Sequence, residues 1–320
     1  MVESLLEFAA GLLVVILGAA LLVRGAAVIK RRLRVPDFVI GLLLVGFATS
    51  LPEFVIAAGA MAIHAPGLAM GTLIGSNIVN MLLIPGLVAV IVPLGVDRRA
   101  LGRDGIAMML ASLALVAVAM TGRLDMLTAM LLVLALLFYL TAVGIDEHLL
   151  RAAGGRLFGA SAGLVPHTAV GPGLAVLMIA GGGAALIIGA GWLVEASAGY
   201  AIDAGISESL LGLSLVAVAT SAPEFVTSLA AARRGHPALA LGNVMGSNIF
   251  NILAGVGMVA GWPGGGIAFP ADLASLDVAV LVGSAVLFLF FIATERCLDR
   301  IEGAILVLLY GGYLTWRLMA

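Results

Sequence analysis

The strongest constraint on this chain is that it contains the same segment twice. GLLLVGFATSLPEFVIA at 41–57 returns as GLSLVAVATSAPEFVTS at 212–228, with 11 of 17 positions identical. GTLIGSNIVN at 71–80 returns as GNVMGSNIFN at 242–251, with 6 of 10 identical. Thr49 and Thr220 lie 171 residues apart, as do Asn80 and Asn251, so no gap is needed between the blocks or back to the pair Gly18 and Gly189. The repeated blocks sit in long apolar runs. The chain is 62% hydrophobic and 11% charged, with a mean hydropathy of +1.22, against roughly 25% charged residues in a soluble domain. A helix needs about 20 apolar residues to cross a bilayer. Windows of that length predict ten spans, near 4–24, 36–62, 68–93, 104–121, 124–144, 173–197, 207–231, 237–261, 274–293 and 301–318. The runs are continuous and do not alternate, which argues against a β-barrel.

Five spans per copy is an odd number, so the second copy enters the membrane from the opposite side. The expected fold is an all-α membrane protein of ten transmembrane helices, arranged as two inverted-topology five-helix repeats with a site where they meet near the midplane. The first repeat covers 1–145, a central connecting loop rich in Gly and Ala covers 146–172, and the second repeat covers 173–320. Lys30, Arg31, Arg32 and Arg34 follow span 1. Arg98, Arg99 and Arg103 follow span 3, Arg151 and Arg156 span 5, Arg233 and Arg234 span 7, and Arg296 and Arg300 span 9. All these connections fall on one side of a ten-span chain, which places both termini outside. MVESLLEF has no basic leader region and reads as the start of span 1. The lone Cys297 excludes an internal disulfide and gives no thiolate metal framework.

The chemistry lies at the repeated interruptions. Proline cannot donate to the carbonyl four residues back. Pro52 therefore frees the carbonyl of Ala48, and Pro223 frees that of Ala219. Such breaks survive in a membrane only where they face protein or a watery cavity, and a freed carbonyl is a hard oxygen ligand. Of the 18 acidic residues, only Glu53 and Glu224 sit well inside long spans at matching positions. An acid at that depth costs roughly 2.5–3.5 kcal/mol to insert. Thr49 and Glu53 are spaced i,i+4, as are Thr220 and Glu224, Ser76 and Asn80, and Ser247 and Asn251, so each pair shares a helix face. Ser50 and Ser221 adjoin the breaks. A set of oxygens without Cys or His selects Na⁺, Ca²⁺ or Mg²⁺. His64 and His236 fall in short loops and read as surface residues. Gly71 with Gly75 and Gly242 with Gly246 form GxxxG pairs that allow close helix approach, and are expected to press Asn80 and Asn251 toward the glutamates.

GFATSLPEF with GSNIVN, and AVATSAPEF with GSNIFN, resemble the α-1 and α-2 repeats of the calcium/cation antiporter superfamily, and within it the prokaryotic sodium/calcium exchangers. The resemblance covers nearly all of the chain. It implies that broken helices 2, 3, 7 and 8 surround a diamond of cation sites. It implies that Glu53 and Glu224 coordinate Ca²⁺ and share Na⁺. Thr49, Ser50, Thr220, Ser221, Ser76 and Ser247 would supply further oxygens, with the Ala48 and Ala219 carbonyls, and Asn80 and Asn251 would line the middle. It also implies that spans 1 and 6 slide across a static core. Two positions depart from the pattern: Asn251 stands where relatives often carry Asp, and Thr72 stands where Asn is usual, although Asn243 keeps it in the second copy. These departures leave coupling stoichiometry, and the choice between Na⁺ and H⁺, open.

The expected function is secondary-active antiport of Ca²⁺ against Na⁺ by alternating access. A water-poor pocket with two carboxylates is costly when empty and charged, so an occupied site crosses more readily than an empty one. The alternatives are an H⁺/Ca²⁺ exchanger and, from another class, a cation channel. No nucleophile–base set, P-loop or metalloprotease motif is present, so an enzyme is not expected. No cofactor is expected. Ca²⁺ and Na⁺ (or H⁺) are substrates, lipid is the surrounding partner, and no nucleic acid or obligatory protein partner is expected. The absence of a large regulatory loop points to a prokaryotic inner membrane.

Overall fold

The computed structural model describes residues 2–33, 47, 49–95, 101–152, 170–235, 237–264 and 266–319. Ala48, the first part of expected span 2 up to residue 46, Arg34, Arg98, Arg99, Arg156 and His236 lie outside the described residues. In chain order the helical tracts are α1 (Val2–Leu33), α2 (Leu51–Ala62), α3 (Pro66–Ile91), α4 (Leu101–Thr121), α5 (Met126–Ala152), α6 (Pro172–Ala204), α7 (Glu208–Arg233), α8 (Pro237–Ala260), α9 (Leu276–Glu295) and α10 (Arg300–Met319). Seven of these described tracts are long and apolar enough to cross a membrane, and Leu6–Leu22 and Leu51–Ala62 are shorter apolar pieces.

α1 and α6 exceed the spans expected from hydropathy. At 32 and 33 residues each is about 48–50 Å long, against a hydrocarbon thickness of about 30 Å. Helix formation does not stop at the last apolar residue. α6 runs on to Ala204, where Gly205 at φ +66° closes it.

α3 and α8 form the centre. Of their apolar windows, 78% and 83% of residues are buried, against 22% in α5 and 28% in α6. Glycine explains how α3 reaches its neighbour. A Cβ added to Gly71 would strike the Ser209 carbonyl, one on Gly75 the Leu213 carbonyl, and one on Gly212 would lie 2.6 Å from the Leu68 carbonyl. The first GxxxG thus seats α3 directly on the backbone of α7. α1 and α6 pack antiparallel along a second glycine seam. Gly11 faces the Gly189 carbonyl, Gly18 that of Gly182 and Gly25 that of Ala175, with a Cβ on each meeting backbone at 2.7–2.9 Å. Gly18 therefore contacts Gly182, while its repeat equivalent Gly189 contacts Gly11.

Two very short antiparallel ladders, absent from the all-α expectation, tie the halves together at the helix ends. β1 (Leu94–Gly95) pairs with β4 (Cys297–Leu298), with Leu94 opposite Leu298. β2 (Arg123–Leu124) pairs with β3 (Ile267–Ala268), with Leu124 opposite Ile267. In each ladder one strand comes from before residue 146 and one from after 172.

Buried acids pin the outer helices. Asp104 at the start of α4 accepts from Arg103 Nε at 2.6 Å and from the Tyr139 hydroxyl of α5 at 3.1 Å. Arg103 Nη1 also donates to Asp146 at 3.1 Å. Asp277 at the start of α9 accepts from the Tyr313 hydroxyl of α10 at 2.7 Å and from Arg317 Nε at 3.3 Å. Both aspartates are buried and paired, as an acid inside a membrane bundle is expected to be.

A candidate cation site

The site begins with two local interruptions of helical geometry. Ser50 (φ −81°, ψ 1°) and Ser221 (φ −80°, ψ 5°) both sit in the sparsely used bridge region between helix and strand. Pro52 and Pro223 follow in the first turn of the next helical segment. There the missing N–H costs little, because first-turn donors have no intrahelical acceptor. Each proline thus opens a new helical segment after the interruption. The half-buried Ala219 keeps a carbonyl that Pro223 cannot serve. Phe54 N–H and Phe225 N–H resume the ladder by donating to the Ser50 and Ser221 carbonyls, both at 3.2 Å.

Glu53 and Glu224 fall in the first turns of these new segments, where the helix dipole favours negative charge. Both are fully buried. They are also brought together. Glu224 lies close enough to Glu53 for their charges to interact, and it faces the Thr49 hydroxyl. The Ser221 hydroxyl donates to Glu53 Oε1 at 3.4 Å, and the Thr220 and Ser76 hydroxyls also lie within reach of that carboxylate. Each glutamate therefore meets hydroxyls carried by the other copy of the repeat. The hydroxyls pair in the same crossed pattern: Ser76 with Thr220 at 3.4 Å, and Thr49 with Ser247 at 3.2 Å.

Much of this oxygen is unmatched. Ser50 Oγ, Glu53 Oε2, both Glu224 oxygens, and both amide atoms of Asn80 and of Asn251 are buried without a partner among the described residues. A buried polar group left unpaired costs about 1–3 kcal/mol, and a charged one more. Asn80 lies inside a wide π-helical turn, Val79–Leu83, and Asn251 begins another, Asn251–Val256. α3 and α8 thus widen at the asparagines, whereas the chain at Ser50 and Ser221 stops and restarts. Such π turns are frequent at functional sites.

Of the expected site residues, Thr49, Glu53, Ser76, Thr220, Ser221, Glu224 and Ser247 are brought together, Ser50, Asn80 and Asn251 are buried, Ala219 is half-buried, and Ala48 lies outside the described residues. Sequence reasoning missed Asn77 and Asn248, which spend their amide donors on the Leu73 and Val244 carbonyls at 2.7 Å and leave Oδ1 unpartnered. Their signal was the repeated GSN tripeptide. It also missed Ser228, which receives the Asn243 amide at 3.2 Å. No sequence pattern marks that contact. His64 is exposed, as its loop position predicts. Among the described residues, no group of three or more His, Cys, Asp and Glu side chains is placed to hold a metal. The pocket is two carboxylates among neutral oxygens. Such a set is chemically suited to holding a hard cation without trapping it, since affinity rises with ligand charge.

Relatives match this chain along nearly its whole length. The inner membrane protein YrbG of Escherichia coli is 33% identical over 312 residues, covering 97% of this chain and 94% of that protein. The sodium/calcium exchanger MaX1 of Methanosarcina acetivorans is 31% identical, with 95% of each chain covered. The solved structure of the sodium-calcium exchanger NCX_Mj, soaked with Na⁺ and Sr²⁺, superposes with a TM-score of 0.62 at 28% identity, over 97% of this chain and 96% of that one. The sodium/calcium exchanger protein family matches residues 3–144 and 174–319. With that match spanning nearly its whole length, this multi-pass membrane chain belongs to the sodium/calcium exchanger family, as a prokaryotic-exchanger-like member of the calcium/cation antiporter superfamily.

Proposed function

We propose that the protein is a secondary-active antiporter that exchanges Ca²⁺ for Na⁺, with Glu53 and Glu224 as the paired carboxylate ligands of the transported ion. One observation carries this reading. Two glutamates at repeat-equivalent positions are buried together, and three of their four oxygens have no partner among the described residues. Unpaired buried charge is costly by several kcal/mol per ion. One Ca²⁺, two Na⁺ or two protons would neutralise the pair. The hydroxyls of Thr49, Ser50, Ser76, Thr220, Ser221 and Ser247 complete the ligand set, with the amide oxygens of Asn80 and Asn251 and the carbonyls of Ala48 and Ala219.

The architecture that serves this exchange is ten spans in two inverted repeats, 1–145 and 173–320, joined by 146–172. Three observations support it. The family match falls into two blocks at nearly those limits. The ladder partners come one from each block. The contacts Gly11–Gly189 and Gly18–Gly182 exchange with one another under the 171-residue offset. The interruptions of the second and seventh spans and the wide turns of the third and eighth face the pocket. α1 and α6 slide as a pair over this core to open each face in turn. Both termini lie outside a prokaryotic inner membrane.

The test is uptake of radioactive Ca²⁺ into proteoliposomes under imposed gradients of Na⁺, H⁺ and K⁺ in turn. Na⁺-driven uptake is expected. A pH gradient that drives uptake without Na⁺ would convert the reading to H⁺/Ca²⁺ exchange. Indifference to every gradient, or unitary channel currents, would reject antiport.

A further inference from the structure

The two copies of the pocket agree in their acids and hydroxyls, but they differ in what stands behind the threonines. Thr49 Oγ1 donates to Asn243 Oδ1 at 3.3 Å. Asn243 Nδ2 donates to Ser228 Oγ at 3.2 Å, and Ser228 Oγ donates to the Ala240 carbonyl at 3.4 Å. This is a directed relay that ends on a backbone carbonyl. Asn243 and Ser228 are both buried. The repeat equivalents are Thr72 and Ala57. Thr72 spends its hydroxyl on the Leu68 carbonyl of its own helix at 2.8 Å, and Ala57 has no polar side-chain atom. Thr220 also donates to the Ala217 carbonyl, three residues back, at 3.3 Å; Gly46, three residues before Thr49, lies outside the described residues.

A hydroxyl has one proton and two lone pairs, and only the lone pairs bind a cation. Among the described residues the Thr49 proton is directed to Asn243 Oδ1, and the Glu224 carboxylate lies near the same hydroxyl. A cation on Glu224 repels that proton, and Asn243 is placed to receive it. Thr49 then turns a lone pair to the ion, and Ser247, 3.2 Å away, donates to Thr49 and does the same with its own. We propose that Asn243, braced by Ser228, is a positioning residue that presents the Thr49 oxygen to the transported cation, so the two half-sites of this pocket are not equivalent. The inference rests on the exchange reading above.

The test is Na⁺-driven Ca²⁺ uptake by full-length protein in proteoliposomes, measured for N243T, S228A, the N243T/S228A double variant and T72A, with E224Q as reference. N243T copies the first half of the chain. Loss of one bond of about 1 kcal/mol is about fivefold in a binding constant. The expected result is a half-saturating Ca²⁺ concentration raised about fivefold in N243T, with the maximal rate within twofold of wild type. S228A gives a smaller rise, the double variant is no worse than N243T alone, and T72A is unchanged. A structural defect would instead lower the maximal rate. If N243T does not reconstitute, N243S serves, and the Ca²⁺-induced rise in melting temperature of detergent-purified protein reads the same affinity. An unchanged half-saturation in N243T, or an S228A effect that adds to it, overturns the proposal. Near-normal transport by E224Q overturns the exchange site itself, and the inference with it, whereas loss in E224Q beside a wild-type N243T removes only the inference.

Discussion

The innermost helices, α3 and α8, and the longest, α1 and α6, are both rich in glycine, yet they are held in different ways. In α3 the glycines seat the helix on α7. Gly242 of α8 has nothing within 4 Å of an added Cβ among the described residues, so the expected close approach of the second GxxxG is not found there. Both helices bury polar side chains, with Ser76, Asn77, Asn80, Ser247, Asn248 and Asn251 all inaccessible. Bonds such as Thr49–Asn243 and Ser76–Thr220 cross from one element to another. Along the α1–α6 seam, glycines meet backbone at 2.7–2.9 Å, and among the described residues no side-chain hydrogen bond joins the two helices. Directional bonds fix the register of one helix on the next. The polar bonds thus tie α3 and α8 to their neighbours in a fixed register, and the close α1–α6 seam is compatible with the proposed movement of those two helices as a pair.

The sharpest way to break this contrast is to remove a core charge. Glu53→Gln or Glu224→Gln leaves one carboxylate to meet a divalent ion. Truncating one partner of a buried charge pair costs about 2–5 kcal/mol, so Ca²⁺ flux is expected to fall on the order of 100-fold or more. Near-normal flux in either variant would show that the acids do not carry the ion. The next largest effect tests the moving pair. A Cβ on Gly59 of α2 would lie 4.0 Å from Val194 Cβ of α6, within the roughly 3.5–4.5 Å that a disulfide spans. Gly59→Cys with Val194→Cys, in a Cys297→Ser background, is expected to lose roughly tenfold or more of its flux on oxidation and regain it with reductant, since a covalent link removes the sliding freedom. Equal oxidised and reduced rates would mean that α6 does not shift against α2.

A third comparison weighs glycines against each other. Gly75→Ala drives a methyl into the Leu213 carbonyl at the centre of the fold. Overpacking of this kind costs about 1–3 kcal/mol, read as a lower melting temperature in detergent. Gly183→Ala on α6 has no atom within 4 Å of the new carbon among the described residues and is expected to melt like wild type. Equal melting of the two would show that α3 does not depend on its close seat against α7.

The fold and the pocket were legible in the sequence to unequal degrees. The 171-residue offset, the apolar runs and the doubled TSxPEF motif led to Glu53 and Glu224 and to the hydroxyls around them. These are choices of residue type that a membrane interior makes expensive, so their presence is informative. The crossing of partners, Ser221 on Glu53 and Thr49 on Glu224, was not readable, because motif spacing fixes a face of one helix and says nothing of which helix it meets. The π turns at Asn80 and Asn251 leave no mark in hydropathy, since they change hydrogen-bond register and not residue class. The four two-residue strands are too short to show any alternation. Ser228 behind Asn243 is an ordinary serine until tertiary packing gives it a partner.

The aspartate pins lie outside the core and the seam alike, and they yield the smallest expected effect. Tyr313→Phe removes one donor from buried Asp277 but leaves Arg317 Nε at 3.3 Å. The loss is a single hydrogen bond to a group that keeps another, about 1 kcal/mol. Tyr139→Phe should behave alike, because Asp104 keeps its two bonds from Arg103. Both variants are expected to melt a little below wild type and to transport Ca²⁺ at the wild-type rate, since neither tyrosine touches the pocket. If Tyr313→Phe instead slows flux without changing the melting temperature, the α9–α10 pin belongs to the moving parts, and the division between a fixed core and a sliding pair would have to be redrawn to include it.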